Sequence, residues 1–496
     1  MVGGQAFEGF KGSSSFVEND VKITLKFGFF GFKLYFFRGK QVKSYLSDRH
    51  SPSGVEELNG SELDQLEDWR RTHYSVNVTR EMEGEEVTVF GYVASVRKQR
   101  GVTFIILEDA QGRLQITVNK GEANASVRNR LEAVKKHFAI GVKGRVKAFP
   151  KAPGGVEILP NQVKILSAPV KDPPFDLYGW KNPGLEKRFD LRALDLRRPR
   201  MKAIFRIRHT TLRSIRETLH QKGFIEVHTP KLISSATEGG AALFPILYYD
   251  KEAFLAQSPQ LYKEQLASAF EKVYEVGPIF RAEKFRTLKH LSESISLDVE
   301  EAYVNYFDSM KLLEELIVHV IDQLNELNRR DLELLNISLE RPKTPFKRIR
   351  YVEAIDELRK RGAEVEWGED LSAKLRGIES DEFYFIFDWP TRSKAFYIKP
   401  KGENPEVCEG FDLFHGSLEL SSGGTRINSR EMLEKRLEEQ GLKPVNFRFH
   451  LDVFDYGMPP HAGFGLGLER LLMALTNQTN IREVTFYPRD PARLTP

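Results

Sequence analysis

The stretch Asp412–Arg426, DLFHGSLELSSGGTR, restricts the possible fold more than any other part of the chain. Apolar and polar residues alternate on both sides of His415-Gly416, which predicts a short antiparallel hairpin. If these two residues form the turn, Glu419 pairs with Asp412, and facing carboxylates repel each other. A divalent cation would remove that repulsion, because Mg²⁺ prefers hard oxygen ligands, usually together with phosphate oxygens. The hairpin therefore predicts either a magnesium site, with the Arg426 guanidinium nearby to hold a carboxylate, or an exposed sheet edge that carries charges.

The composition is typical of a globular protein with several domains. The 496 residues are 41% hydrophobic and 29% charged, and 74 basic against 70 acidic residues leave a net charge of +4. This balance permits nucleic-acid binding through a local basic face but does not by itself indicate it. The single cysteine, Cys408, excludes a disulfide framework, and no apolar run approaches the ~20 residues of a membrane span. We therefore expect a cytoplasmic protein without a membrane segment.

Residues 1–66 show little pattern. Gly9–Ser15 is rich in Gly and Ser, and Val21–Phe37 contains six phenylalanines among lysines and glycines. The segment could form a hairpin, or it could be translated from a start codon that has been placed too far upstream. We favour the second interpretation and assign the segment no function.

Residues 70–168 have the pattern of a small all-β domain. Five β-rich runs are separated by turn signals, and a helical segment at 124–137 follows the third run. This order predicts an OB barrel, in which the face of strands 2 and 3 binds single-stranded nucleic acid. Phe104 and Gln115 fall on those strands, where they could stack on a base and bind its edge, or be an ordinary core residue and a surface residue. The predicted strands are Val87–Val96, Val102–Leu107, Leu114–Val118, Gly141–Phe149 and Val156–Ile165.

The remaining chain divides into a linker and a second, larger domain. Four prolines between Pro169 and Gly184 predict a linker, which we extend over residues 169–195. Apolar residues at helical spacing predict helices over 201–222 and 309–327 of the domain at 196–496. A small α/β insertion is predicted near 340–380, with helices at 352–361 and 370–377.

Three blocks in this domain carry a family resemblance. They are GFIEVHTPKL at 223–232, GPIFRAE at 277–283 followed by KHLSES at 289–294, and GFGLGLERL at 463–471. Each is weak alone, but their order and spacing form the three-motif signature of class II aminoacyl-tRNA synthetases, which the chain therefore resembles. Within that class it is similar to the aspartyl-tRNA synthetases of the archaeal/eukaryotic type. That similarity runs from Thr72 to Pro496 and includes ATEGG at 236, QSPQLYK at 257 and YPRDPARLTP at 487.

The resemblance implies a fold, a reaction and partners. The fold is α+β, an N-terminal OB-fold β-barrel followed by a class II catalytic domain with an antiparallel sheet flanked by helices. The reaction joins L-aspartate to tRNA(Asp), with ATP as substrate and Mg²⁺ as cofactor, through an aspartyl-adenylate. Pro230 and the helix before it imply a two-fold homodimer.

Individual residues take implied roles from the motifs. Arg281, Arg470 and Glu419 are the implied catalytic residues, because the two arginines, and the Mg²⁺ that Glu419 would hold, neutralise charge that builds on the phosphates. Lys263 and Arg426 would face the side-chain carboxylate, so that an amide would leave buried positive charge uncompensated. Glu238 would bind the α-ammonium group. The implied aspartate-binding residues are Glu238, Gln260, Leu261, Tyr262, Lys263, Arg281, Ser422 and Arg426. The implied ATP-binding residues are Arg281, Ala282, Glu283, Lys289, His290, Leu291, Glu419, Gly467, Leu468, Glu469 and Arg470. The implied metal ligands are Asp412, Glu419 and Ser422.

Residues of the barrel, and several positions at which the chain departs from the family pattern, bear on which tRNA is charged. The implied anticodon-binding residues are Phe104, Gln115 and Glu157, which favours the stacking role of Phe104. Tyr92 and Pro153 resemble forms that charge both tRNA(Asp) and tRNA(Asn), and we expect that relaxed specificity here. Lys289 stands where the family commonly has Arg, Glu264 where it has Gln, and KAFY at 394 is closer to asparaginyl relatives.

Three alternatives stay open at this point. Asparaginyl-tRNA synthetase is the nearest alternative. An ammonia-dependent asparagine synthetase-like enzyme would share the catalytic fold but would not need the barrel. A non-catalytic tRNA-binding paralogue would be expected to lose Arg281, Glu419 or Arg470, all of which are present.

Overall fold

The computed structural model describes residues 13–18, 21–26 and 63–496, except 120, 122, 180–182, 235–241, 285, 372–373 and 376–381. Within the first 59 residues, strands β1 (Ser13–Glu18) and β2 (Val21–Lys26) pair antiparallel. This hairpin begins before Val21, and residues 27–37 of the run in which a hairpin was expected lie outside the described residues. The proposed misplaced start codon stays a prediction.

The first domain of the remaining chain is a closed five-stranded barrel. Its strands are β3 (Glu86–Gln99), β4 (Val102–Glu108), β5 (Arg113–Asn119), β6 (Ala139–Ala148) and β7 (Val156–Ser167). They close in the order β3-β4-β5-β7-β6, and helix α1 (Ala125–Ala133) lies between β5 and β6 along the chain. Alternation along β4 buries Ile105 and Leu107 in the barrel and leaves Phe104 on the other face. The predicted strand order and helix are confirmed.

The second domain is built on an eight-stranded sheet. Its strands are β8 (Ile225–Glu226), β12 (Lys272–Phe280), β13 (Glu293–Ala302), β14 (Lys347–Arg350), β15 (Phe383–Phe387), β16 (Gly410–His415), β17 (Leu418–Thr425) and β18 (His461–Gly467). The order is β14-β15-β16-β17-β18-β13-β12-β8. The five inner pairs are antiparallel, as predicted, whereas both edge pairs, β14–β15 and β12–β8, are parallel. A small sheet pairs β9 (Leu232–Ile233), β10 (Pro245–Tyr248) and β11 (Lys251–Leu255) in the order β10-β11-β9.

Helices cover this sheet with apolar faces. They are α2 (Leu185–Asp190), α3 (Arg192–Asp195), α4 (Pro199–Gln221), α5 (Gln260–Phe270), α6 (Tyr306–Leu327), α7 (Arg329–Leu335), α8 (Tyr351–Lys360), α9 (Arg430–Glu439), α10 (Arg448–Phe454) and α11 (Leu468–Leu475). Pro199 suits the first turn of α4, where no backbone donor is needed, and the predicted apolar stripe of that helix is buried. A capping box formed by Asn305 and Asp308 begins α6. The predicted α+β architecture is therefore confirmed.

The hairpin register differs from the prediction. The turn lies at Gly416-Ser417, because Gly416 adopts a φ of +56°, which glycine tolerates without steric cost. Phe414 consequently pairs with Glu419, and a bulge follows before Asp412 pairs with Ser422. The expected direct pairing of Asp412 with Glu419 is wrong, although both residues remain at one end of the same hairpin.

Two predicted segment assignments also change. In the stretch at 340–380, β14 is an edge strand of the main sheet, and the assignment of this stretch as an insertion stays a prediction. At 370–377 the described residues 370, 371, 374 and 375 contain no helix, whereas the helix predicted at 352–361 is confirmed as α8. The second half of the predicted linker folds as α2 and α3, whose Arg188, Arg192 and Asp195 are buried. This part of the linker therefore packs with the second domain.

Candidate active site

A pocket of about 460 Å³ opens over the centre of the eight-stranded sheet. Its wall combines the end of β12 and the loop after it, β17, and the junction of β18 with α11. Two of the three sequence motifs and the Asp412–Arg426 hairpin therefore meet at one place. The predicted residues that line it are Gln260, Arg281, Glu283, Lys289, His290, Leu291, Glu419, Ser422, Arg426, Gly467, Glu469 and Arg470.

The Arg470 side chain joins the third motif to the second and to the hairpin. Its guanidinium donates to the Glu419 carbonyl at 3.0 Å and lies 3.3 Å from His290 Nε2. Lys289 Nζ donates to the Ser417 carbonyl at 3.2 Å, so the loop after β12 is held against the hairpin turn. Burial, and next the Arg470 charge, lower the pKa of His290. A neutral imidazole beside three cationic side chains suits a site for polyanionic phosphates.

Three of the residues predicted to bind ATP are held by contacts with the rest of the protein. Both carboxylate oxygens of Glu469 are occupied, one by Arg208 at 2.9 Å and the other by the Ile295 amide at 2.9 Å. Leu468 is part of the hydrophobic core, and the Ala282 amide donates to the Ala242 carbonyl. Their observed contacts are with the protein scaffold.

The other end of the pocket holds two buried ion pairs. Arg426 donates to both oxygens of Glu300 at 2.9 and 3.1 Å. Lys263 Nζ lies 3.0 Å from Asp298 and 3.5 Å from Glu300. The prediction named the two cations but missed the two acids. Their signal was the alternation in SLDVEEA, which directs Asp298 and Glu300 to one face of β13.

Four predicted aspartate-binding residues are not observed in the pocket wall, and one of them is Lys263, which is buried against Asp298. Leu261 is fully buried in the hydrophobic cluster around α8, and Tyr262 packs against Phe449 with ring centroids 5.9 Å apart. Glu238 lies outside the described residues. Gln260 does line the pocket, and its amide donates to Glu264 at 2.6 Å.

Glu264 forms a buried acid–imidazole cluster directly behind Gln260. Its Oε2 atom lies 3.3 Å from His450 Nε2 and 3.6 Å from His461 Nε2, and all three side chains are fully buried. Burial alone would raise the pKa of Glu264, but the two imidazoles hold it below its usual range. For His461, burial opposes the charged form, yet Glu264 outweighs burial and raises the pKa above 6.5.

We expect Glu264→Gln to lower the stability mainly below about pH 6.5. A raised pKa of His461 contributes stability that is fully present below its unfolded value and is lost as pH rises through the folded value. The deficit of the variant should be about 2 kcal/mol near pH 6, as for a hydrogen bond to a charged group, and should shrink towards pH 9. Denaturant unfolding across this range measures it. A deficit that is independent of pH would contradict the charged cluster.

The residues predicted to hold Mg²⁺ surround a lysine ammonium. Lys394 Nζ lies 2.5 and 2.6 Å from the two carboxylate oxygens of Asp412 and 3.4 Å from the Ser422 hydroxyl. Desolvation, and next the charge of Asp412, raise the pKa of Glu419. In the described part of the chain, no three His, Cys, Asp or Glu side chains form a metal-binding group. Two carboxylates and a hydroxyl nevertheless fit Mg²⁺ when phosphates supply further ligands, and the ammonium shows that a cation is accommodated there.

The barrel brings its three predicted residues together on one face. Phe104 pairs with Thr117 across β4 and β5, and Gln115 pairs with Glu157 across β5 and β7. The Gln115 amide donates to Glu157 at 3.0 Å, and the Arg97 guanidinium lies 5.1 Å from the Phe104 ring centre. Gln115 is buried, so the interpretation as a surface residue is wrong, and Phe104 is half-buried outside the core.

The two residues predicted to govern tRNA choice lie elsewhere on the barrel. Tyr92 is 40% exposed and stacks under Arg197, whose guanidinium carbon is 3.5 Å from the ring centre. Pro153 is exposed and begins a single helical turn before β7. It borders a second cavity, of about 770 Å³, that lies between the barrel and the second domain and is lined by several arginines.

The two domains each match a known protein family. Residues 184–491 match the family described as tRNA synthetases class II (D, K and N), and residues 87–166 match the OB-fold nucleic acid binding domain. The chain belongs to the class II tRNA synthetases. The family match begins at α2, which agrees with the packing of that helix on the second domain.

Individual relatives span nearly the same length. The chain is 48% identical over 427 residues to an "Aspartate--tRNA(Asp/Asn) ligase" of Archaeoglobus fulgidus, with 85% of this chain and 99% of the relative covered. A ligase of the same description from Methanocaldococcus jannaschii is 44% identical over 432 residues, with 86% and 99% covered. Among solved structures, asparaginyl-tRNA synthetase from Pyrococcus horikoshii complexed with asparaginyl-adenylate gives a TM-score of 0.81 at 33% identity, with 86% and 100% covered. Aspartyl tRNA synthetase from Entamoeba histolytica gives 0.75 at 28%, with 86% and 92% covered.

Two further observations concern regions outside the pocket. The Cys408 thiol is buried, and burial raises its pKa to about 12, which agrees with the absence of a predicted chemical role. Among the residues that the structure describes, none of the helices has the length and apolar character needed to cross a bilayer.

Proposed function

We propose that this protein is a cytoplasmic aspartate–tRNA ligase that activates L-aspartate with ATP and charges tRNA(Asp) and tRNA(Asn). The observation that carries the proposal is a single pocket that is lined by the cations Arg281, Lys289 and Arg470 at one end and by the buried Arg426 at the other. Lys263 is buried behind the wall, paired with the pocket-lining Asp298. The ligases of Archaeoglobus fulgidus and Methanocaldococcus jannaschii, which match along nearly their whole length, support it.

The chain's own residues position an in-line displacement. The α-carboxylate oxygen of aspartate forms a bond to the α-phosphorus of ATP, and the bond from that phosphorus to the pyrophosphate oxygen breaks. Arg281 neutralises charge at the α-phosphate, while Arg470, His290 and Lys289 surround the leaving pyrophosphate. The terminal ribose of tRNA then attacks the aspartyl carbonyl and releases AMP. No step needs a covalent bond to the enzyme, so the buried Cys408 has no part in it.

Asp412, Glu419 and Ser422 would hold Mg²⁺ at the edge of the phosphate site. Bound there, the ion would neutralise phosphate oxygens and stabilise pyrophosphate as it leaves. The position of Asp412 and Glu419 on the two strands of one hairpin supports this assignment, because two neighbouring carboxylates retain their charges most easily next to a cation.

The choice between aspartate and asparagine depends on more than the two cations. Because Lys263 and Arg426 already pair with Asp298 and Glu300, the pocket is close to neutral before substrate binds. The raised pKa of His461 is caused by the Glu264 carboxylate, which offsets the imidazolium charge, so this cluster adds little net charge behind the pocket. Asparaginyl-tRNA synthetase remains the competing function, favoured by the structural similarity to the Pyrococcus horikoshii enzyme.

Amino-acid-dependent pyrophosphate exchange tests this choice directly. The purified protein should exchange labelled pyrophosphate into ATP with L-aspartate and at least ~100-fold less efficiently with L-asparagine. Exchange with asparagine alone would establish the competing function. Exchange with neither amino acid would reject both.

The barrel should read the anticodon through the Phe104 face. We expect Phe104→Ala to lower kcat/KM for aspartylation of tRNA by roughly 10–100-fold, because stacking on one base contributes about 1–3 kcal/mol. Aspartate-dependent pyrophosphate exchange should not change, since it needs no tRNA. Arg113→Ala serves as the control for a substitution elsewhere on the same barrel, because Arg113 lines the second cavity. Equal loss of exchange and aspartylation in Phe104→Ala would assign Phe104 to folding.

Relaxed tRNA choice is a separate proposal that rests on Tyr92 and Pro153. Both transcripts, tRNA(Asp) and tRNA(Asn), should be aspartylated with kcat/KM values within about ten-fold of each other. A strong preference for the tRNA(Asp) transcript would contradict it.

A two-fold homodimer is proposed from the first motif. Ile225 and Leu232 are 47% and 50% exposed on either side of the exposed Pro230, so the motif presents apolar surface that a second copy could cover. Sedimentation measures the state directly, and a monomer at micromolar concentration would contradict the proposal.

A further inference from the structure

Lys394 lies at the position where the proposed reaction needs a metal cation. Its ammonium contacts both carboxylate oxygens of Asp412, at 2.5 and 2.6 Å, and lies 3.4 Å from the Ser422 hydroxyl. The same ammonium lies 4.4 Å from the centre of the Trp389 ring, a cation–π contact. Only 13% of the Lys394 side chain and 5% of the Asp412 side chain are exposed. Lys394 and Asp412 therefore form a largely buried ion pair at the pocket wall.

The pair competes with a metal ion for Asp412. Mg²⁺ would need at least one of the two oxygens that Lys394 now holds, and a protonated lysine has no lone pair with which to join the coordination. Two cations on one carboxylate also repel each other. Lysine has a flexible four-carbon side chain, and Lys394 already lines the phosphate pocket. It can therefore leave Asp412 while staying in the pocket.

We propose that Lys394 is an internal counter-ion that holds Asp412 while no nucleotide is bound and yields it to the Mg²⁺ that enters with ATP. The inference rests on the proposed function, because it takes Asp412, Glu419 and Ser422 as the magnesium side of the site. Without ATP, the ammonium has no phosphate to move to and competes with the metal. With ATP, the phosphates offer the ammonium a new partner and give the metal its remaining ligands. Mg²⁺ and ATP therefore bind together.

Binding of Mn²⁺ to the nucleotide-free protein tests the inference without any turnover. Free Mn²⁺ is measured by electron paramagnetic resonance during a titration of the wild type and of Lys394→Met. The variant should bind one Mn²⁺ at least ten-fold more tightly than the wild type. Lys394→Arg, which keeps a cation beside Asp412, should bind as weakly as the wild type. Lys401→Met is the matched control, because Lys401 forms a similar pair with Asp388 at 2.6 Å outside the pocket.

A second substitution locates the ion. Adding Asp412→Asn to Lys394→Met should remove the gain in Mn²⁺ affinity. Equal affinities of wild type and Lys394→Met, or a gain that survives Asp412→Asn, would overturn the inference. Lys394→Gln serves as a second neutral variant if the methionine variant unfolds on thermal denaturation. Failure of the proposed function would be seen separately, as wild-type protein without aspartate-dependent pyrophosphate exchange.

Discussion

Arg426→Ala is expected to lower aspartate-dependent pyrophosphate exchange by about 10³-fold or more and to change the affinity for ATP by less than about three-fold. The guanidinium is 2% exposed at the closed end of the pocket, where its planar fork can bind a carboxylate with two hydrogen bonds. ATP affinity should persist because the phosphate-side contacts of Arg470 and Lys289 do not involve Arg426. Steady-state exchange kinetics and equilibrium binding of ATP measure the two effects separately.

The single substitution also disturbs the fold, so a second variant is needed. Removing Arg426 leaves the fully buried Glu300 with only Lys263, 3.5 Å away, as a cationic partner, which costs up to roughly 3–5 kcal/mol. Adding Glu300→Gln removes that poorly compensated charge and should restore much of the lost stability, while activation of aspartate stays absent. Activity regained in the double variant would show that Arg426 supports the fold and does not bind the substrate.

Local motifs were sufficient to predict most of the pocket. Arg281, His290 and Arg470 were identified through the family resemblance that the three blocks carry together, and the structure places all three in one pocket. The hairpin was also identified, but its register was not. The conformation of Gly416 and the bulge before Ser421 determine the register, and β17 must pair with β16 and β18 at once. The alternation of apolar and polar residues along one strand does not show how that strand must pair with two neighbours at once.

Residues that act through long-range partners were missed. Lys394 was noted only as a departure from a family pattern, since its partner Asp412 is 18 positions away on strand β16. Glu264 was likewise noted only as a substitution, and its two imidazole partners come from α10 and β18. Charged side chains are ordinary in a sequence. They become informative only when the fold buries them beside a specific partner.

Asp195 shows why the predicted linker boundary was wrong. The prolines end at Pro183, but the predicted linker was extended to residue 195. In the structure, the fully buried Asp195 carboxylate accepts hydrogen bonds from Arg188 at 2.8 Å and from Arg192 at 2.6 Å. Arg188 also binds the Glu483 carboxylate, with one contact at 2.6 Å. The charges in the linker are therefore internal to the second domain.

The same network reaches the phosphate end of the pocket. The segment after Asn480 holds the loop that carries His290, because the Ile481 amide donates to the Leu288 carbonyl at 2.9 Å. Arg482 adds a hydrogen bond to the Thr287 carbonyl at 2.8 Å. Helices α2 and α3 thus support the ATP-binding loop indirectly, through the C-terminal segment.

Asp195→Asn is therefore expected to destabilise the protein by roughly 3–5 kcal/mol, because it leaves buried arginines without their shared carboxylate. The midpoint of thermal unfolding should fall by about 5 °C or more, and the affinity for ATP should weaken at temperatures where the variant is still folded. Asp190→Asn is the matched control: Asp190 pairs with Arg493 at 2.8 Å, but its side chain is 64% exposed, so the loss should stay below about 1 kcal/mol. Equal midpoints for the two variants would mean that the buried network does not hold the linker helices. A loss of stability without any change in ATP affinity would mean that the buried network does not influence the loop that carries His290.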